Sequence, residues 1–445
     1  MIHAAQALLP EGWRKNVRLR MKDGLITATE TGTPAAPGDH RVGTLIPGLP
    51  NVHSHAFQRG FSGLSERRGT GRDSFWTWRE IMYRFALSVD ADDMQALAEM
   101  AYVEMLEAGF TRVGEFHYLH HARDGRPHDD PAEHSARIFA AAAETGIALT
   151  HLPVFYRHGG FGPRPAGEGQ RRFLHDVDTF VALVGACDGM LSRPQDRVGY
   201  APHSLRAASA EDLTQLAAAL PGRQVHVHIA EQVQEVEDCL AFCGARPVDW
   251  LHDNTGVDAG WCLIHATHLS AAERRRIVAS GAVAGLCPVT EANLGDGLFP
   301  AQAHLDEGGA IAIGTDSNIR IDAAEELRIL EYGQRLTHRQ RNVLAMAGGS
   351  TGARLLAAAL AGGTQALGAP AAELAPGAPA DLVALVDPLD LAQPGETMLD
   401  RWIFGREVGV GDVWAAGQHL VHEGRHIGRA RVAARFAATL RRLLD

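Results

Sequence analysis

Apolar and polar positions alternate in short bursts over the first 46 residues, as in VRLRM (17–21) and GLITATE (24–30), with Gly and Pro between them. A period of two with that punctuation predicts short antiparallel strands. GTLIPGLPNVHSH (43–55) continues as a brief apolar strand that breaks at prolines and enters a polar turn. From Asp90 the period lengthens. DADDMQALAEMAYVEMLEAG has an acidic start, apolar residues at helical spacing and a glycine stop, which predict an amphipathic helix, and FTRVGEF follows as a strand. The same succession recurs as ARIFAAAAETG before IALTHLPVF, EDLTQLAAALPG before QVHVHIAE, and PVDWLHDNTG before WCLIHATHL. It returns as AAERRRIVASG before AVAGLCP and HLDEGG before AIAIGTD. Helix followed by short apolar strand, repeated, implies parallel β-structure with crossover helices.

Polar residues collect at the C-terminal ends of these strands: His53 and His55, Glu115 and His117, His203, His228 and Glu231, His265, and Asp316. A (β/α)8 TIM barrel places its active site there. The competing doubly wound sheet would carry a glycine-rich phosphate turn after its first strand, and the sequence has none. The reading is therefore an α/β protein with a barrel over residues 47–374. Residues 1–46 and 375–425 combine into a small β domain, and 426–445 form a C-terminal helix. The long polar loop 65–78, SERRGTGRDSFWTW, is expected at the barrel mouth as a lid.

Composition narrows the function. A net charge of −11 argues against a nucleic-acid or anionic-membrane binder, whose affinity rests on basic patches. No apolar run approaches the ~18 residues of a membrane span, and the first residues lack a signal-peptide pattern, so a cytoplasmic protein is expected. Five scattered cysteines do not make a disulfide scaffold; Cys239 and Cys243 read as packing thiols on a helix. Only two lysines occur, Lys15 and Lys22. No barrel strand can then supply a Schiff base or a carboxylated-lysine bridge between two metals, which favours a single metal and attack by water.

The chemistry concentrates in four stretches. In an extended strand His53 and His55 point to one face and can converge on a metal. In VHVHIAE, His228 at the strand end is the ligand candidate and His226 a packed neighbour. Glu231, where that strand gives way to loop, can carry a proton as general base and then general acid. His265 ends another apolar strand, with His268 outside the immediate site, and Asp316 in AIAIGTDSN is a carboxylate that needs a cation or a donor. Each signal is weak alone; HxH, HxxE, His and Asp in this order, each ending a strand, form a specific set. Arg206, three residues after the strand-end His203, is the leading partner for an anionic substrate, and Arg79 in FWTWREIMY is a second.

On these stretches, together with NVHSHAFQRG, GFTRVGEFHYLHH, YAPHSLRA and GTDSNIRID, the chain resembles the amidohydrolase superfamily over nearly its whole length. It is most similar to the formimidoylglutamate deiminases of histidine degradation. The resemblance implies one divalent metal, zinc before iron or manganese, held by His53, His55, His228 and Asp316. It implies hydrolysis of N-formimidoyl-L-glutamate to N-formyl-L-glutamate and ammonia. Zinc would activate the water, Asp316 would take its proton, Glu231 would protonate the leaving nitrogen and His265 would steady the developing charge. Gln58, Tyr118 and His203 would line the pocket for a dicarboxylate, and the family analogy suggests a homodimer. Sister deaminases acting on guanine or adenosine derivatives share the metal set, and a non-catalytic barrel scaffold is the remaining alternative.

Overall fold

The N-terminal strands β1 (Ile2–Leu9), β2 (Gly12–Lys22) and β3 (Leu25–Glu30) form an antiparallel meander. The fourth, β4 (His40–Pro47), returns beside β1 in parallel. This departs from the all-antiparallel expectation, because residues 31–39 cross over instead of making a hairpin. The computed structural model describes residues 1–68, 71, 73–391 and 393–445.

At Gly48 the chain leaves this sheet and enters the barrel. A Cβ there would lie 2.3 Å from Thr111 Oγ1 and 2.9 Å from Thr111 Cβ, so glycine leaves the room that the branched Thr111 side chain fills. The barrel strands are β5 (Leu49–Ser54), β6 (Phe110–His117), β7 (Ala148–Phe155), the split pair β8 (Arg197–Val198) and β9 (Ala201–Pro202), and β10 (Val225–Ile229). The remaining three are β11 (Trp261–His265), β12 (Val283–Leu286) and β13 (Ala310–Ile313). Ladders from β5 to the split strand and from β10 to β13 are all parallel. Single bridges join the two arcs, Tyr200 to Val225 and Ser204 to His228 on one side, Ser54 to Asp316 on the other. Eight strands closed in this way are the expected (β/α)8 architecture.

Four further strands, β14 (Leu382–Val386), β15 (Gly409–Ala415), β16 (Gln418–His422) and β17 (Arg425–His426), extend the first sheet in the order β17-β16-β15-β14-β4-β1-β2-β3. Both ends of the chain thus share one sheet, with its own apolar cluster around Ile2, Val17, Leu19, Leu45, Leu382 and Trp414. The helix Arg429–Leu444 lays Val432 and Phe436 against Ala91–Glu107, and Arg435 donates to Glu99 at 2.9 Å.

The long loop is shorter than expected. A helix begins at Phe75, where the Ser74 N–H donates to Thr77 Oγ1 at 3.0 Å. Arg79 is therefore a helical residue. Residues 69, 70 and 72 of the proposed lid lie outside the described ones. Among the described residues no helix is long and apolar enough to cross a membrane. Cys239 is buried, whereas Cys243, one helical turn on, is exposed and packs less than expected.

Candidate active site

His53, His55, His228 and Asp316 meet at the C-terminal mouth of the barrel, their ligand atoms all within 4.8 Å of one another. His53 Nε2 lies 3.0 Å from His228 Nε2 and 3.4 Å from Asp316 Oδ1, and His55 Nε2 lies 3.2 Å from the same oxygen. Donors bound to a tetrahedral zinc at ~2.0–2.2 Å stand roughly 3.3–3.6 Å apart, so a shift of a few tenths of an ångström in these spacings seats one ion.

Tautomers strengthen the case. His55 Nδ1 donates to the Phe116 carbonyl at 2.8 Å and His228 Nδ1 to the His203 carbonyl at 3.0 Å. Each imidazole is thereby left with its lone pair on Nε2, aimed into the cluster. Burial drives His53 down to about 3 and His228 well below the ordinary range, so both are neutral donors. Burial opposes ionisation of Asp316, yet the adjoining His53 and His55 rings outweigh it and hold the carboxyl well below its usual value. Converging lone pairs and a carboxylate are mutually repulsive until a cation sits among them. The donor set fits a divalent metal.

The scaffold around the cluster is a chain of buried polar contacts. Asn51 Nδ2 donates to Thr315 Oγ1, which donates to Asn318 Oδ1; Asn318 Nδ2 donates to Ser54 Oγ, which donates to Glu115. Glu115 also accepts from the Ala56 N–H at 2.7 Å, although burial pushes its pKa up to about 7. These bonds lock the first, second and eighth strands in register beneath the His/Asp cluster. Gly314 allows the closure, since a Cβ there would lie 2.8 Å from His53. The backbone is left-handed at Ala230 (φ 50°), His265 (φ 67°), Ala266 (φ 46°) and Asp316 (φ 44°). Such conformations are costly for these residues and mark where packing forces side chains into the mouth.

Next to the His/Asp cluster, His265 Nε2 stands 3.8 Å from Glu231 Oε1 and 3.9 Å from Asp316 Oδ2. Burial raises Glu231 to about 7, with His265 and Arg206 pulling the other way. Burial would lower His265, but Glu231, its hydrogen bond to Glu291 and Asp316 prevail and raise it to about 10. The mouth therefore holds an ionised carboxylate, a carboxyl poised near neutrality and an imidazolium within reach of one another.

All the substrate-facing candidates line one pocket. Gln58, Arg79, Tyr118, His203 and Arg206 border it together with His55, His228, Glu231, His265 and Asp316, while His53 lies just beneath. Gln58 Nε2 donates to Tyr118 Oη at 2.7 Å. Gln58 Oε1 and Arg206 Nη1 are buried with no hydrogen-bond partner among the described residues. Arg79 and Arg206 place their guanidinium carbons 4.4 and 5.8 Å from the centre of the Trp76 ring. As read from the sequence, His226 packs away from the site, its Nε2 2.8 Å from the Ala366 carbonyl, and His268 bonds the Asp296 carbonyl.

Sequence reasoning missed Glu291, whose Oε1 is 3.2 Å from His265 Nδ1. It also missed Asp296, whose pKa burial and the nearby Glu231 raise to about 9. Both follow β12, where AVAGLCP had ended without a polar residue being assigned; the run of acids in TEANLGD was the available signal. The aromatic wall of Phe75, Trp78, Tyr83, Tyr156 and Phe173 was missed too, since most of it comes from a segment read as loop or from between elements.

Comparison with known proteins agrees with this geometry. Residues 44–410 match the amidohydrolase family, and residues 1–43 match the N-terminal domain of formimidoylglutamate deiminase HutF. The chain is 48% identical to the formimidoylglutamate deiminase of Pseudomonas aeruginosa, over 100% of this chain and 99% of that one. It superposes on the crystal structure of an amidohydrolase from Brucella melitensis with a TM-score of 0.98 and 51% identity, covering 100% and 99% of the two chains. An adenosine deaminase from Xanthomonas campestris, solved with bound zinc, shares the fold at a TM-score of 0.82 and 23% identity, over 99% and 98%. Match over the barrel, superposition over the whole length and the constellation at the strand ends converge: the chain is an enzyme of the amidohydrolase family.

Proposed function

We propose that the protein hydrolyses N-formimidoyl-L-glutamate to N-formyl-L-glutamate and ammonia. The observation that carries this reading is Arg206: a buried guanidinium with an unpartnered Nη1, in the same pocket as the His/Asp cluster and close to Arg79. A buried cation with a free donor suits a carboxylate, and the half-buried Arg79 beside the same Trp76 ring supplies a second guanidinium for a dicarboxylate. Likeness to the Pseudomonas aeruginosa deiminase supports the same substrate.

His53, His55, His228 and Asp316 would hold one divalent ion, zinc first among the candidates. Such an ion, when bound, lowers the pKa of water from ~15.7 towards 7. The other roles belong to the chain's own residues. Asp316, ionised, accepts the proton of the attacking water. Glu231, poised near neutrality, donates one proton to the imino nitrogen; the proton that the added hydroxyl loses as the formyl carbonyl forms supplies the second, the nitrogen departs as ammonia, and the proton held on Asp316 restores Glu231. His265, held cationic, faces the oxygen on which charge develops. Gln58, Tyr118 and His203 orient the formimino group, and Arg206 with Arg79 hold the two carboxylates.

A homodimer and a reducing cytoplasm belong to the same reading; family analogy supports the first and five free cysteines the second. No nucleic-acid or membrane partner is part of it, in keeping with the net charge of −11. The aromatic wall would also suit a heterocycle, and one assay separates the two. Metal-replete protein should release ammonia from N-formimidoyl-L-glutamate and not from guanine or adenosine. Release from either purine alone would replace the proposal, and release from none would favour the scaffold.

A further inference from the structure

A second group of metal-ligating side chains lies in the composite sheet, away from the barrel mouth. His40, at the start of β4, puts Nε2 2.9 Å from Asp412 Oδ2 on β15, and His419 of β16 puts Nε2 3.3 Å from the other oxygen, Asp412 Oδ1. The three ligand atoms all lie within 4.8 Å of one another, near enough to share one ion. His419 Nε2 is buried and, at its angle to Asp412, makes no hydrogen bond among the described residues.

A backbone irregularity builds the group. β16 runs antiparallel to β15 with Val413 opposite Val421 but Trp414 opposite His419, so Leu420 is one residue extra. Residues three apart on a regular strand face opposite sides; the bulge restores a common face to His419 and His422, whose ring centroids are 3.6 Å apart. Leu420 and Val421 both turn into the main core instead. Trp414 forms the floor, stacked on His419 at 4.2 Å and edge-on to His40 at 5.3 Å, and it restricts both rings before any ligand arrives. His40 and Asp412 keep 43% and 19% side-chain exposure, so an ion can enter from solvent.

We propose that His40, Asp412 and His419 form a second divalent-metal site, suited by its imidazole-rich set to Zn2+ or a neighbouring transition ion rather than Ca2+ or Mg2+. The ligands come from strands 372 residues apart, so the ion ties the first strands of the chain to the last. Binding to the folded sheet alone then stabilises it by linkage.

The test uses tag-free protein with its active-site metal already loaded, titrated with Zn2+ in a chelator-buffered series and followed by metal analysis and thermal unfolding. Wild type should take up a second equivalent and unfold at a higher temperature as it does so. His419→Ala should lose the second equivalent and the thermal shift, with kcat and KM for the substrate unchanged. Should His419→Ala fold poorly, the exposed His40→Ala replaces it and should weaken the second binding event at least tenfold. A wild type that saturates at one equivalent would overturn the proposal, as would a second equivalent retained in both variants.

Discussion

His265 Nδ1 lies 3.2 Å from Glu291 Oε1, and that same oxygen accepts the Cys287 N–H at 2.9 Å. The carboxylate is therefore fixed by the turn after β12 and in turn fixes the proton on the Nδ1 side of His265, leaving Nε2 to face Glu231 and Asp316. Glu291 touches no part of the pocket directly and acts through His265.

Replacing Glu291 by Gln keeps a hydrogen-bonding partner but removes a charge that raises the His265 pKa. The imidazolium should then lose its proton at lower pH, moving the alkaline limb of the kcat profile downward. Disruption of such supporting contacts typically costs roughly 10–100-fold. An unchanged alkaline limb would remove Glu291 from this positioning role.

Glu231→Gln removes the proton carrier while keeping the shape of the pocket. Metal content should stay at the wild-type level and kcat should fall at least ~10²-fold. Turnover close to wild type would show that another group carries the proton.

For Arg206→Ala the expected change is in KM, which should rise by about 10²-fold with the metal retained, since a buried charge-assisted pair contributes roughly 2–3 kcal/mol. Arg79→Ala should act in the same direction. Steady-state kinetics with unaltered KM in both variants would discard the carboxylate clamp.

Acid should destabilise the fold through histidines that have nothing to do with catalysis. Burial lowers His134, His151 and His175 to about 3 each, and His134 lies 3.2 Å from the fully buried Arg172 as well. Unfolded, these side chains titrate near ~6.5, so below that pH the unfolded chain binds protons that the folded one refuses. Stability is thus intact above pH ~6.5 and is lost as the pH falls towards 3, at up to about 1.4 kcal/mol per pH unit for each residue. Thermal unfolding between pH 8 and pH 5 should show the decline, and His151→Gln should make it shallower. A melting temperature independent of pH over that range would contradict this account.

The candidate ligands were legible because each ends a strand whose periodicity is itself readable. His53 and His55 share a face by the period of two, and Asp316 stands out as a carboxylate closing an apolar run. The expectation of a single metal in the barrel rested on the lysine count alone. Helices and strands of the barrel were visible for the same reason, whereas the parallel pairing of β1 with β4 was not, because nothing in either strand's own pattern states which neighbour it will take.

Local periodicity and residue type thus determined the barrel, the order of its strands and the choice of candidate ligands, since those depend on a few successive residues and a repeat. Only the tertiary structure decided that Glu291 would hold His265, that Arg79 would sit on a helix beside Arg206, and that an inserted Leu420 would bring His419 and His422 together near His40. Contacts of that kind join segments tens to hundreds of residues apart. They are set by how whole elements pack, and close packing leaves no trace in the spacing of any one of them.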